Sequence, residues 1–423
     1  MKLLIKNGHV IDPASGFDGT AAVLIEDGLV SAIGAGLSPS NAGVFDASGL
    51  IVAPGFIDLH VHLREPGEEY KETIASGARA AVAGGFTAVC AMPNTDPVND
   101  NASVTRYIVE KAREAGLARV YPVGAITRES KGKELAEMAE MKAAGAVAVS
   151  DDGRPVMNSQ VMRHAMEYAS DHGLIVVDHC QCLDLSAGGV MNEGRYSTLL
   201  GLKGISSASE ESHVARDIML AELTGARVHI AHISTRGAVE MVRAAKQRGL
   251  PVTCEVTPHH LALTDEAVMG FDTNTKMNPP LRSNEDREAL IEAVRGGVID
   301  AIATDHAPHH YDEKLVEYDR APFGVVGLET ALGVAITTLH HENGVPLQRI
   351  IEMLTIGPAR AFSLTGGSLA IGSPGDITVF DPVKEWTVDP RRFSSRSRNT
   401  PFAGWRLRGA VAATFVAGRQ VFP

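Results

Sequence analysis

The stretch FIDLHV, at residues 56–61, opens the pattern that decides the fold of this chain. A short run of apolar and β-branched residues gives way to polar or glycine-rich residues and then to a segment with helical periodicity. The runs are FIDLHV (56–61), FTAVCAM (86–92), RVYPVGA (119–125), AVAVS (146–150), LIVVDH (174–179), RVHIAH (227–232), PVTCEV (251–256) and DAIAT (300–304). Helices are expected around them at 70–83, 99–115, 131–144, 157–172, 208–224, 236–248, 284–295 and 328–341. Strand–helix units repeated in this way over about 300 residues predict an α/β fold, a closed (β/α)8 TIM-like barrel.

The two ends of the chain follow a different pattern, with turns but no helix between short apolar runs. Strands are expected at Lys2–Asn7, Ala21–Glu26, Leu29–Ile33, Ile377–Phe380, Gly409–Val416 and Arg419–Phe422. We predict that residues 1–54 and 366–423 pair into one small β-sandwich domain beside a barrel formed by residues 55–365. The run Arg391–Arg398, rich in arginine and serine, is interpreted as a solvated connection.

Composition excludes several classes of protein. The chain has 423 residues, with 39 Lys+Arg against 51 Asp+Glu and a formal net charge of −12. This balance disfavours nucleic-acid binding, which draws on basic side chains, and an anionic substrate would need a local positive centre. No signal-peptide pattern and no stretch of roughly 18 apolar residues is present, so we expect a cytoplasmic protein without a membrane span. Four scattered cysteines agree with a reducing compartment.

Histidine and aspartate residues carry the chemistry that the sequence indicates. Phosphate-loop, dinucleotide-binding and serine-hydrolase motifs are absent from the sequence. In the stretch DLHVH (58–62), His60 and His62 would point to the same side of a strand. Two imidazoles need this arrangement to bind one metal ion.

The other candidate ligands occupy equivalent places in the repeat. Asp151 and Asp152 follow the fourth strand, His179 closes the fifth, His232 closes the sixth and Asp305 follows the eighth. Because active sites of such barrels lie at the carboxyl ends of the strands, these residues should converge. Histidines with acidic oxygens suit zinc or a similar divalent ion, and a bridging carboxylate could hold two ions ~3.5–4 Å apart. The pattern predicts a metal-assisted hydrolase, or the reverse condensation, and leaves open which of the two adjacent aspartates is the ligand.

With these residues in place, the chain resembles the dihydroorotases of the amidohydrolase superfamily, specifically the long-chain bacterial type (class I). The likeness covers essentially the whole chain. It rests on APGFIDLHVHLREPG (53–67), AMPNTDPV (91–98), SDDG (150–153), VTPHHL (256–261), KMNPPLR (276–282), ATDHAPH (303–309) and APFGVVGLET (321–330). The resemblance implies a zinc-dependent cyclic amide hydrolase. Its reaction would be the reversible cyclisation of N-carbamoyl-L-aspartate to L-dihydroorotate plus water in de novo pyrimidine biosynthesis.

The resemblance also implies roles for individual residues, and it favours two zinc ions over one. The implied metal ligands are His60, His62 and Asp305 for the first ion, His179 and His232 for the second, and Asp152 as the bridge. The implied substrate contacts are His62, Arg64, Asn94, Asn278, His309 and the backbone around Phe323 and Gly324. In the implied mechanism a metal-activated hydroxide attacks the ring carbonyl, and Asp305 is the catalytic acid and base. Arg64 suits an anionic substrate because guanidinium binds carboxylates through two parallel hydrogen bonds.

Two positions depart from the family pattern. Many relatives bridge their metals with a carboxylated lysine on the fourth strand, whereas this chain has SDDG at 150–153 and its nearest lysine, Lys142, precedes that strand. After His179 the family often has Cys-Glu, and here the sequence is Cys180-Gln181-Cys182. The second departure concerns the surroundings of a ligand and not the ligand itself.

Alternative interpretations remain at this point. A hydantoinase or allantoinase would share the histidines and Asp305, although Arg64 and Asn94 favour a substrate that bears a carboxylate. A non-catalytic structural partner of aspartate transcarbamoylase is a third interpretation, which the full ligand set disfavours. An active enzyme is compatible with a homodimer and with a complex with aspartate transcarbamoylase. The long charged segment His306–Phe323 is interpreted as a mobile lid.

Overall fold

The structure is a computed structural model that describes residues 2–423. In chain order the strands are β1 (Lys2–Asp12), β2 (Phe17–Glu26), β3 (Leu29–Gly34), β4 (Gly43–Asp46), β5 (Ile51–Pro54), β6 (Phe56–Val61), β7 (Phe86–Ala91), β8 (Arg119–Gly124), β9 (Ala148–Val149), β10 (Ile175–Asp178), β11 (Met191–Asn192), β12 (Gly204–Ile205), β13 (Val228–Ile230), β14 (Val252–Val256), β15 (Ala301–Ile302), β16 (Ile377–Thr387), β17 (Arg406–Val416) and β18 (Arg419–Phe422). The helices are α1 (Ile74–Ala83), α2 (Ala102–Ala115), α3 (Met138–Ala144), α4 (Ser159–Asp171), α5 (Leu183–Ser186), α6 (Arg195–Leu200), α7 (Ser207–Thr224), α8 (Arg236–Gln247), α9 (Pro258–Ala262), α10 (Asn284–Arg295), α11 (Tyr311–Lys314), α12 (Ala331–Ala335), α13 (Leu347–Leu354) and α14 (Ile356–Phe362).

The predicted barrel is confirmed. Eight parallel strands lie in the order β6-β7-β8-β9-β10-β13-β14-β15, and each lies within one of the eight apolar runs. An isolated parallel bridge between Val61 and His306 joins the first strand to the end of the last. Branched aliphatic side chains such as Leu59, Val123 and Val177 fill the interior. The carboxyl ends of all eight strands therefore meet at one mouth.

Helix boundaries follow the capping residues of the sequence. Helix α10 begins after Ser283, whose hydroxyl accepts from the backbone N–H of Asp286 in a capping box, and it spans the predicted range. Helix α3 is shorter than the range predicted from residue 131, because Leu135 forms an isolated antiparallel bridge with Thr127. This pairing takes residues before Met138 out of the helix. Helix α12 continues into a π-helical turn at Ile336–Glu342.

The terminal segments form one small β-domain, as predicted, built on a mixed sheet of order β18-β17-β16-β5-β1-β2-β3 with β4 beside β1. The rings of Phe45 and Phe415 meet at 5.3 Å although β4 and β17 are not neighbours, so the sheet folds back around its core. Strand β1 continues past the predicted end at Asn7, whose φ of 63° lies in a bulge between Ile5 and Gly8. The boundaries 1–54 plus 366–423 and 55–365 stay our proposal for the two domains.

The interpretation of Arg391–Arg398 as a solvated connection is wrong for two of its three serines. Ser395 and Ser397 are 2% and 4% exposed. The Ser395 hydroxyl donates to Glu72, and that of Ser397 donates to the carbonyl of Lys71 at 2.8 Å. The segment therefore fastens the C-terminal part of the chain to the barrel beside the mouth. Among residues 2–423, no helix has the length and apolar character that a membrane crossing requires.

Candidate active site

The predicted ligands of the first metal ion lie together at the mouth of the barrel. His62 Nε2 is 3.0 Å from Asp305 Oδ1, and His60 Nε2 is 3.8 Å from the same oxygen. Asp152 lies against both imidazoles, with its oxygens 3.3 Å from His60 Nε2 and 3.6 Å from His62 Nε2. All four side chains are buried.

A second group shares Asp152. His179 Nδ1 and His232 Nε2 are each 3.6 Å from Asp152 Oδ1, and these two nitrogens are 3.0 Å apart. Asp152 therefore contacts imidazoles from both groups, which is the geometry that a bridging ligand needs. Asp151 turns away from the mouth, where its carboxylate accepts from the backbone N–H groups of Ile126 and Thr127 at 2.8 and 3.0 Å.

The residues present fit a divalent metal ion. His60 Nε2 and Asp152 Oδ1 are buried and have no hydrogen-bond partner among the residues that the structure describes. Buried polar atoms without partners are costly, so an ion at this point would satisfy them. One ligand atom from each of His60, His62 and Asp305 lies within 4.8 Å of the others, and the same holds for His60, Asp152 and His232. Imidazole nitrogens with carboxylate oxygens are the donor set that zinc and similar ions prefer.

The electrostatics of the site favour a positive charge between these side chains. Burial disfavours the ionised form of Asp152, but His60 and neighbouring imidazoles outweigh it and hold the pKa of this carboxyl well below its usual range. The pKa of Asp305 is also lowered, because contact with His62 outweighs burial. Burial lowers the pKa of His60, yet Asp152 and Glu255 raise it well above the ordinary value. Both aspartates are therefore ionised, as metal ligands must be.

Sharp backbone turns aim the side chains into the mouth. Arg64, His232 and Asp305 have φ values of 63°, 28° and 47°. Each of them lies two or three residues beyond the end of a barrel strand. Residues other than glycine rarely adopt positive φ, and such strain is concentrated at functional sites. The surrounding structure holds these residues in a conformation that a free chain would avoid.

Sequence analysis missed the residue that orients His60. Glu255, in the interior of β14, accepts from His60 Nδ1 at 2.8 Å and lies 3.1 Å from His229 Nε2. Burial raises the pKa of Glu255, but the contacts with His229 and His60 outweigh burial and lower this pKa to about 2. An ionised Glu255 fixes the proton of His60 on Nδ1 and leaves Nε2 to face Asp152. The only indication of this role in the sequence was a glutamate within the apolar run PVTCEV.

The predicted substrate-binding residues surround one cavity of 220 Å³. Its lining comprises His62, Arg64, Asn94, Asp152, Gly153, His179, His232, Asn278, Asp305, Ala307, His309, Phe323 and Gly324. A wider vestibule of 890 Å³, which shares Arg64, Asn94, Asp152 and Gly153 with it, leads outward past Lys131 and Arg154. The structure thus brings together every residue that the sequence analysis assigned to substrate, and their individual roles stay predictions.

Arg64 is the cationic group of this cavity. It is 8% exposed, and its Nε donates to the carbonyl of Pro308 at 3.1 Å. Asn94 Oδ1 is 2.8 Å from His62 Nδ1, which orients that ligand. His309 Nε2 lies 2.8 Å from the carbonyl oxygen of Phe323. Burial, with Arg64 nearby, lowers the pKa of His309 to about 2, so this imidazole is neutral and donates to that oxygen.

Two buried lysines hold the segment that covers the cavity. Lys314 Nζ donates to the carbonyls of Pro322 at 2.7 Å and Thr273 at 3.1 Å. Lys276 Nζ donates to the carbonyl of Tyr318 at 2.8 Å, and the Lys276 carbonyl accepts from Gly324 N–H at 2.9 Å. The segment His306–Phe323 therefore has its own folded contacts, while its movement as a lid stays a prediction.

Comparison with known proteins decides the family. The protein-family model described as Dihydro-orotase-like matches residues 49–238, and the family model of the Amidohydrolase family matches residues 292–422. A curated relative from Anaeromyxobacter sp. (strain K), named dihydroorotase, is 58% identical over 99% of this chain and 97% of its own. Dihydroorotases from Solibacter usitatus (strain Ellin6076) and Geobacter metallireducens are 56% and 53% identical, covering 99% and 100% of this chain and 97% and 100% of their own. The chain belongs to the dihydroorotase family.

Solved structures place this dihydroorotase family member among the hydantoinase barrels. The L-hydantoinase of Arthrobacter aurescens superposes with a TM-score of 0.88 at 25% identity, covering 99% of this chain and 95% of its own. Dihydropyrimidinase from Brevibacillus agri gives 0.85 at 22% identity, covering 100% of this chain and 95% of its own. These distant likenesses agree with the fold, while the full-length dihydroorotases are far more similar in sequence.

Proposed function

We propose that the described site interconverts N-carbamoyl-L-aspartate and L-dihydroorotate with two zinc ions, held by the six histidine and aspartate ligands. The observation that carries the proposal is the carboxylate of Asp152 between imidazoles of two overlapping groups, beside a cavity whose cation is Arg64. When bound, zinc polarises the ring carbonyl and lowers the pKa of water toward ~7. The rings of allantoin and hydantoin carry no carboxylate. An allantoinase or a hydantoinase would therefore not need a buried arginine in its substrate cavity.

One charged group and several neutral polar groups hold the substrate. Arg64 and Asn94 bind its carboxylate on one side, and Asn278 contacts the ring on the other. His309 and the backbone of Phe323 and Gly324 cover it. A buried guanidinium suits this role because its planar fork matches a carboxylate. The same contacts orient the ring carbonyl toward Asp305.

Asp305 moves the proton. In hydrolysis its carboxylate accepts a proton from the attacking water, and the carbonyl carbon gains the C–O bond. Asp305 then delivers the proton to the ring nitrogen as the C–N bond breaks. In the biosynthetic direction the amide nitrogen attacks the carboxyl carbon and water leaves. The position of Asp305 next to His62, at 3.0 Å, keeps it ionised for the first step.

The decisive experiment measures zinc content and dihydroorotate hydrolysis on one purified sample, before and after chelation. We expect activity that disappears with the metal and returns when zinc is added. Dihydrouracil, hydantoin and allantoin serve as competitors. Preference for an uncharged ring, or full activity without metal, would contradict the proposal.

We propose in addition that the enzyme works in the cytoplasm as a homodimer, alone or in complex with aspartate transcarbamoylase. The reasons are the role of its family in pyrimidine synthesis and N-carbamoyl-L-aspartate, the compound that would pass between the two enzymes. Light scattering with and without the transcarbamoylase tests both assemblies. A scaffold-only role is disfavoured, because such a protein would have no need for the complete ligand set.

A further inference from the structure

Gln181 lies behind the site and has no role in the proposed mechanism. It follows β10 by three residues and comes two residues after the ligand His179. Its side chain is 9% exposed and does not line the substrate cavity. The amide oxygen Oε1 is 2.9 Å from His179 Nε2 and 2.8 Å from Asn278 Nδ2. One buried oxygen therefore contacts both a metal ligand and a substrate residue.

The contact with His179 determines which of its nitrogens carries the proton. An amide oxygen can only accept, so His179 Nε2 must be the donor. A neutral imidazole that is protonated on Nε2 has its lone pair on Nδ1. His179 Nδ1 is the atom that faces Asp152 and His232, at 3.6 and 3.0 Å. Gln181 thereby presents the correct nitrogen to a metal ion.

The contact with Asn278 extends this control to the substrate. Asn278 Nδ2 and His179 Nε2, which are 3.2 Å apart, both donate to Gln181 Oε1, so this oxygen holds the Asn278 amide beside the ligand. The backbone before Asn278 is itself held, because the neighbouring Lys276 binds the carbonyls of Tyr318 and Asp319. If the Gln181 oxygen moved, the side-chain amide of Asn278 would lose this hydrogen bond and could turn away from His179.

We propose that Gln181 is a positioning residue that couples retention of the second metal ion to substrate binding, through the single oxygen shared by His179 and Asn278. The inference rests on the proposed function for the identity of metal and substrate. The partner of His60 is the carboxylate of Glu255, whereas the partner of His179 is a neutral amide. An imidazole whose N–H donates to a neutral amide is a weaker metal ligand than one whose N–H donates to a carboxylate. The second ion should therefore leave before the first.

The test compares Gln181→Met, which keeps the shape without the acceptor, with Gln181→Glu, which keeps an acceptor. Gln160→Met is the matched control, because Gln160 contacts His164 at 2.7 Å on the exposed surface of α4. Zinc retained per chain is measured during titration with a chelator, and kcat and KM for dihydroorotate are measured separately. Should Gln181→Met not fold, Gln181→Leu replaces it.

We expect Gln181→Met to lose one of its two zinc ions at about tenfold lower chelator concentration and to show a raised KM. Gln181→Glu should retain zinc at least as well as the wild type, and Gln160→Met should behave as the wild type. Wild-type zinc retention and KM in Gln181→Met would overturn the inference. So would equal zinc loss in Gln181→Met and Gln181→Glu, because zinc retention would then not depend on the acceptor that only the glutamate variant keeps. If the wild type binds zinc but does not hydrolyse dihydroorotate, the proposed function fails, and the zinc titration still decides the role of Gln181.

Discussion

The floor and the roof of the cavity are built in different ways. The floor consists of the six candidate metal ligands His60, His62, Asp152, His179, His232 and Asp305, and the roof is the segment 306–324 that follows Asp305. Floor side chains lie at the carboxyl ends of barrel strands or within three residues beyond them, and they contact one another. The roof instead depends on lysine side-chain nitrogens that donate to main-chain carbonyls. The barrel fixes the floor with or without substrate, whereas a few local contacts hold the roof. We therefore expect floor variants to change kcat and roof variants to change KM.

The largest effect should come from Asp305→Asn in the floor. Asparagine keeps the shape but cannot accept and return the proton, so kcat should fall by about 10²–10⁴-fold. Zinc content and the unfolding midpoint should change much less. Asp300→Asn is a control at the opposite end of the same strand, where Asp300 contacts Lys246 at 2.5 Å. Near-normal turnover in Asp305→Asn would remove Asp305 from the mechanism.

Arg64→Met should have the next largest effect, because Arg64 joins the floor to the roof through Pro308. A hydrogen bond to a charged group contributes about 1.5–3 kcal/mol, so kcat/KM should fall roughly 10–150-fold, mainly through KM. Arg163→Met, which removes a surface arginine paired with Glu167, is the control. Steady-state kinetics with dihydroorotate measure the effect. An unchanged KM would show that the substrate carboxylate binds elsewhere.

The sequence pattern was sufficient to place five of the six floor residues at the mouth of the barrel. His179, His232 and Asp305 could be located because the end of an apolar run marks the end of a strand, and parallel strands bring their ends together. The choice between Asp151 and Asp152 needed coordinates, since it depends on which carboxylate the backbone N–H of Thr127 engages. The strand that precedes these aspartates, β9, is only two residues long, so side-chain alternation could not decide between them.

The supporting residues could not be predicted, because their partners are distant in the chain. Glu255 lies 195 positions from His60. Lys314 acts through carbonyl oxygens, which have no signature in the sequence. Ser395 was assigned to a solvated connection for a similar reason, since its partner Glu72 lies 323 positions away. Local composition indicates exposure, and tertiary contacts can override it.

Lys314→Met should affect the roof alone. The loss of hydrogen bonds to Pro322 and Thr273 should raise KM about three- to tenfold and leave kcat within about twofold. Proteolysis within 306–323 should become faster, and dihydroorotate should slow it. The control is Lys111→Met, which removes an exposed lysine paired with Glu114. If kcat falls as far as in Asp305→Asn, the separation of floor and roof is wrong.

The smallest effect should be a pH dependence of roof opening. Burial, with Lys276 nearby, lowers the pKa of Lys314 to about 7, whereas the pKa of a solvated lysine is about 10.4. Between these values an open roof binds more protons than a closed one, so the free energy of opening increases with pH. Proteolysis of 306–323 should therefore slow several-fold between about pH 7 and pH 9, after correction for the activity of the protease on an unfolded peptide. In Lys314→Met the corrected rate should be independent of pH in this range. Faster cleavage at higher pH in the wild type would mean that the closed roof prefers the charged lysine, and that its contacts with the carbonyls outweigh the cost of burying it.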